Sequence, residues 1–149
     1  MRLPFRNSLF WVAVAILMFL ACASIASWWA RRPEQLFRRI VAEPIPSSVK
    51  IQRVDYVPRR EWRAFLHIQL SPADFELLRT VKAYRHLDGD SYENFLRSTY
   101  QQFKTMLPPE SALAGYDVFE AFDDPSGGTF SYFIVNKTRS EGFIVAFRY

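Results

Sequence analysis

Cysteine is nearly absent. The 149 residues hold one, Cys22, and it lies inside an apolar run. No internal disulfide can form, which leaves the redox compartment open. Histidine is almost as scarce, with His67 and His86 alone. A zinc site would need both, plus carboxylates from distant positions, so each is read as a surface residue. The five glycines fall into no Gly-x-x-x-x-Gly-Lys-Ser/Thr, Gly-x-Gly-x-x-Gly or Gly-x-Ser-x-Gly pattern. A phosphate loop, a dinucleotide fingerprint and a nucleophile elbow are therefore excluded. Asp88-x-Asp90-x-Tyr92 begins like a calcium loop, but Glu93 stands where glycine is needed and Thr99 where the last glutamate belongs. Asn136-Lys137-Thr138 is a formal glycosylation sequon, meaningful only in a eukaryotic secretory pathway. No catalytic residue, cofactor or metal ligand is expected.

Charge is unevenly spread. Residues 1–39 hold six arginines against Glu34, a net +5, while residues 40–149 hold thirteen basic and fourteen acidic side chains, a net −1. Phosphate attraction needs a concentrated basic face, so no nucleic-acid partner is expected. Within the second part, Lys50, Arg53, Arg59, Arg60 and Arg63 cluster at one place, and Asp117, Glu120, Asp123 and Asp124 at another. If these meet in the fold they form surface ion pairs of small worth. If they lie apart they make a dipolar surface able to orient a partner.

The chain's one long apolar stretch, Leu9–Ala30, holds 22 residues and no charge. As a helix at about 1.5 Å per residue it spans about 33 Å, against a bilayer core of about 30 Å. A transmembrane helix or signal anchor is expected there, in a single-pass membrane protein with the lipid bilayer as partner. Arg2, Arg6, Trp28, Trp29, Arg31 and Arg32 flank it and are the expected membrane-interface residues. Two other readings stay open. Ala21-Cys22-Ala23 resembles a cleavage site, and Phe19-Leu20-Ala21-Cys22 is a distorted lipobox with Cys22 as the lipidation position. Arginine counts favour a cytoplasmic domain, whereas the signal-like order of basic, apolar and small residues favours an extracytoplasmic one, which is preferred.

The expected organisation is a basic segment at 1–8, the membrane helix at 9–30, an amphipathic juxtamembrane helix and Pro-rich linker at 31–46, and an α+β domain at 47–149. In the 31–46 segment, Leu36, Phe37, Ile40 and Val41 share a face, suited to headgroups or to the domain itself. The Val49–Val57 stretch is β-rich, but its apolar positions change parity between Ile51 and Val54, which signals a bulge or twisted edge. Trp62, Ala64, Leu66, Ile68 and Leu70 alternate with more polar neighbours, a strand with one buried face. Ser71-Pro72-Ala73-Asp74 opens a helix that fades by Tyr84. Tyr92, Phe95, Leu96, Thr99, Phe103, Met106 and Leu107 mark a second helix, stopped by Pro108-Pro109. Three strands follow at Tyr116–Phe122, Thr129–Asn136 and Gly142–Tyr149, joined by links rich in turn formers.

The order is ββααβββ, so the fold class is α+β: a mostly antiparallel five-stranded sheet with two helices on one face. The last two strands are apolar on both sides. The sheet's second face therefore needs a cover, from the 34–42 helix, another protein or a homodimer. The functional expectation is a membrane-tethered binding or assembly module. The alternative is an envelope-associated enzyme whose polar residues converge only in the fold, or a lipoprotein or secreted form of the same domain.

Overall fold

The computed structural model describes residues 5–30, 32–58, 61–122 and 128–148, with side chains for all of these but 5–10 and 25–30. The elements are α1 (Phe5–Ala30), α2 (Pro33–Ile40), β1 (Lys50–Val57), β2 (Arg63–Gln69), α3 (Pro72–Val81), β3 (Arg85–His86), α4 (Gly89–Phe95), α5 (Gln101–Phe103), β4 (Tyr116–Phe122), β5 (Thr129–Asn136) and β6 (Glu141–Arg148). A π-helical turn, Leu96–Tyr100, joins α4 to α5, and a 3₁₀ turn, Glu110–Gly115, precedes β4.

The six strands form one sheet in the order β1-β2-β6-β5-β4-β3, every adjacent pair antiparallel. The expected count of five strands is corrected to six. The addition is the two-residue β3, whose Arg85 and His86 pair with Glu120 and Phe119. Two residues are too few to leave a period-two pattern in sequence. The parity change in the first strand is a real irregularity: the β1–β2 register shifts between Ile51 and Arg53. It puts Ile51 and Val54 on the same side, both packed against the core. A bulge on an edge strand also discourages pairing with a further strand.

The placement of helices on one face is corrected as well. On the first face, α2 and α3 cover Ala64, Leu66 and Ile68 of β2, Phe119 of β4, Phe133 and Val135 of β5 and Ile144 of β6. Leu36, Phe37, Ile40 and Val41 are all essentially buried there, so the 31–46 segment docks on the domain through its apolar face. On the second face, Phe95, Tyr100, Phe103 and Leu107 from the α4–α5 segment cover Phe65, Tyr132, Ile134, Phe143 and Val145. The strands in the middle of the sheet are thus buried on both sides, which explains why β5 and β6 lack alternation. The expected cover of the second face by the 34–42 helix is corrected: α2 packs on the first face, and the α4–α5 segment covers much of the second.

Helix α3 begins as its sequence implies. The Ser71 hydroxyl accepts from the Asp74 N–H at 3.2 Å, and Pro72 takes the first helical position. The return arm of the capping box is rerouted. The Ser71 N–H donates to Ser48 Oγ at 2.7 Å, and the Ser48 hydroxyl donates to Asp74 Oδ2 at 2.5 Å. One hydroxyl from the preceding linker therefore ties the helix start to the β1 approach.

The membrane-crossing expectation for 9–30 is corrected. That stretch lies within the 26-residue α1, but among the described residues no helix is long and apolar enough to cross a membrane. The single-pass and signal-anchor assignments fall with the span. So does the extracytoplasmic placement of the domain, which rested on it.

Candidate functional site

Among the described residues, polar side chains converge at two places on the domain. The larger is an open cleft of about 580 Å³ where the linker before β1 and the start of α3 meet the β5–β6 turn. Ser48, Lys50 and Ser71 line one side, and Asn136, Ser140 and Glu141 the other. The turn is held by Asn136, whose Oδ1 accepts from the Ser140 N–H at 2.9 Å and the Glu141 N–H at 3.2 Å. Arg139 sits in that turn with φ +57, in the left-handed region. Such a backbone is uncommon for a residue with a Cβ, and here the Asn136 bonds and the Arg139 ion pair hold it.

Glu141 is engaged from behind. His67 Nε2 lies 2.7 Å from Glu141 Oε1, and the His67 ring stacks on Phe143 at 4.6 Å between centroids. Burial, followed by the Glu141 charge and hydrogen bond, raises the Tyr116 hydroxyl above the usual tyrosine range. The cleft can offer hydroxyls, amides, one ammonium and one carboxylate. The Ser48 hydroxyl proton goes to Asp74 and its oxygen accepts from Ser71, so it fixes α3 and is not poised as a nucleophile.

The second cluster centres on Asp117 of β4. Its Oδ2 accepts from Arg139 Nη2 at 2.5 Å, its Oδ1 from Lys137 Nζ, and His86 Nε2 lies 3.8 Å from Oδ1. Burial by itself raises the Asp117 pKa, but the hydrogen bonds and charges of Lys137 and Arg139 outweigh it and hold the carboxyl below its ordinary value. The Arg139 guanidinium also lies over the Phe75 ring at 4.7 Å and the Phe119 ring at 5.6 Å. A cation between two rings and a carboxylate is a structural clamp. It joins the β5–β6 turn to β4 and α3. Among the described residues no group of three or more His, Cys, Asp or Glu could hold a metal ion.

The residues expected at a membrane interface are only partly described. Arg2 and Arg31 lie outside the described residues, as do the side chains of Arg6, Trp28 and Trp29 in α1. Arg32 is exposed directly before α2. Cys22 is an exposed free thiol on α1. Among the described residues the two charge clusters do not meet: Arg53 and Arg63 lie on β1 and β2, while Asp117 and Glu120 lie on β4, three strands beyond β2 in the sheet; Arg59, Arg60, Asp123 and Asp124 lie outside the described residues. Sequence reasoning missed the Ser48 tie and the Asp117–Arg139 clamp. Both join residues more than twenty positions apart, with no local pattern to mark them.

Comparison with protein-family models, with curated proteins and with solved structures finds no match in any of the three. The class defined by the geometry is a three-layer α+β domain, one antiparallel sheet between helical covers, preceded by an apolar helix.

Proposed function

We propose that the protein is a small binding or assembly module, with no catalytic role for the polar clusters. One observation carries this reading. From Ile16 to Leu20 every residue of α1 is a large apolar side chain more than half exposed, and Phe19 reaches 74%. These five consecutive positions cover well over a full turn, so α1 is apolar around its circumference. None of the described side chains of α1 belongs to either buried core cluster. Contiguous apolar surface of this kind marks an interaction site. The polar clusters favour the same side of the choice, since their strongest contacts tie elements together: the Ser48–Asp74 pair fixes the start of α3 and the Asp117–Arg139 pair joins the β5–β6 turn to β4.

The test is the native mass of the intact chain in solution. The reading expects a particle heavier than the 17.5 kDa chain, and substitution of Leu17 and Phe19 by serine reduces it. An intact chain that stays at single-chain mass with α1 open to solvent probes contradicts it.

A further inference from the structure

The second face of the sheet ends in two unlike rows. At one end Val57, Arg63, Phe147, Phe130 and Phe122 stand in register on adjacent strands, apolar but for one arginine and only partly covered. At the other end the register runs Lys50, Gln69, Glu141 across β1, β2 and β6. Residues paired across strands share a face, so these three side chains stand side by side. All three line the open cleft of about 580 Å³, a volume ordinary for a small-molecule site. The backbones of Lys50 and Glu141 are two strand spacings apart, about 10 Å.

Each of the three offers a different group. Among the described residues the Lys50 ammonium makes no ion pair or hydrogen bond. Gln69 Oε1 accepts from Gln52 Nε2 at 3.2 Å, which leaves Gln69 Nε2 to donate elsewhere. Glu141 is held in place by His67 Nε2 at 2.7 Å and by the Tyr116 hydroxyl, and a carboxylate has lone pairs to spare beyond two such bonds. The other charges nearby are committed. Asp74 accepts from the Ser48 N–H and hydroxyl, and Lys137 and Arg139 of the β5–β6 turn pair with Asp117. The walls are fixed before any ligand arrives: the Leu70 N–H donates to the Ser140 carbonyl at 3.2 Å, and Asn136 holds the turn. Little ordering is then lost on binding.

We infer that the cleft binds a small zwitterion of the α-amino acid class. Its carboxylate accepts from Lys50 Nζ and Gln69 Nε2, and its ammonium donates to Glu141. The sign of the charges makes the selection. A lone anion drawn to Lys50 meets the Glu141 carboxylate, and a lone cation drawn to Glu141 meets the Lys50 ammonium, so only a ligand with both charges is attracted at both ends. The buried Leu70 side chain gives the cleft its apolar wall. This site is separate from α1 and stands whether or not the chain assembles.

The experiment titrates L-alanine into the intact chain and reads saturation-transfer NMR, which observes the small molecule and tolerates a large particle. Propionate and ethylammonium each keep one of alanine's two charges and serve as paired probes. A saturable alanine signal is expected, about tenfold tighter than either paired probe. Lys50→Gln and Glu141→Gln should each weaken it about tenfold, the loss of one charge-assisted bond. Lys50→Arg keeps most of the affinity, and Phe122→Ala, at the far end of the face, leaves it unchanged. No saturable alanine signal overturns the inference. So does equal affinity for propionate or for ethylammonium, which would mean that the cleft reads a single charge. Alanine binding that Lys50→Gln leaves unchanged lies elsewhere on the chain and overturns it too. Lys50→Gln touches neither His67 nor Tyr116, so it decides the matter even where Glu141→Gln fails to fold.

Discussion

The two faces of the sheet are built differently. The first face is closed by α2 and α3, which flank β1 and β2 in sequence, and its rings are fully enclosed: Phe75 and Phe133 are at most 1% exposed. The second face is closed by the α4–α5 segment over part of its area, and its last row stays open through Val57, Arg63 and Phe122. One chain therefore uses the same residue types in two ways. Phe133 is a core residue of β5 and Phe122 a surface residue of the adjacent β4. The difference shows that apolar character alone does not mark the core; what matters is whether a helix arrives over the strand position.

The largest expected effect lies at the centre of the first face. Phe133→Ala should destabilise the domain by about 3–5 kcal/mol, the range for removing an enclosed ring, read as a lower denaturant midpoint. The ring contacts Phe75 and Tyr84 at 5.5 and 5.6 Å, so neighbours cannot easily fill the space. Gly142→Ala attacks the same ring from the partner strand. A Cβ there would collide with the Phe133 side chain and lie 3.4 Å from the Ile134 carbonyl oxygen, and a loss of about 1–3 kcal/mol is expected from overpacking.

The Asp117–Arg139 clamp stands at the rim of the first face, so its loss is intermediate. Asp117→Asn leaves the Arg139 guanidinium partly enclosed without its carboxylate. A loss of about 2 kcal/mol is expected, below the fully buried case because Arg139 keeps some contact with water. The pH dependence has a definite sign. The Asp117 pKa is lower in the folded chain than its ordinary value. Its contribution is therefore present above the unfolded carboxylate value and is lost as pH falls through the folded value. The stability gap between wild type and Asp117→Asn should narrow with acidification across that window and stay constant at neutral pH. A gap that widens on acidification would show that another group dominates.

The smallest stability effect belongs to the open row. Phe122→Ala should change the stability of the dilute domain by no more than about 0.5 kcal/mol, as for ordinary surface substitutions.

Much of this architecture is legible in the residues. Ser71-Pro72 marks the start of α3 through capping chemistry, and the shift between Ile51 and Arg53 shows as a broken parity. The Tyr116–Phe122 and Thr129–Asn136 strands carry their own turn signals and match their observed bounds. What was not legible depended on distance. Which face α2, α3 and α4 occupy is decided by packing between elements, and the amphipathic stripes of all three look alike in sequence. The π-helical turn at Leu96–Tyr100 leaves no mark either, since the 3.6-residue pattern runs through it with only a small phase slip. The apolar run at 9–30 forms a helix as its composition implies, but its expected role in crossing a membrane did not follow. The polar clusters had no sequence signature, because Ser48, Asp74, Asp117 and Arg139 meet only through the fold.

The contrast between the faces is tested most directly by one paired measurement. Denaturant midpoints of wild type, Phe133→Ala and Phe122→Ala are recorded at low protein concentration and again at high concentration. The account predicts that Phe133→Ala is lower than wild type by about 3–5 kcal/mol at both concentrations. It predicts that Phe122→Ala stays within about 0.5 kcal/mol of wild type at both concentrations, as an ordinary surface position does. Equal losses for the two variants in dilute solution would contradict the account, since Phe122 would then be part of the core.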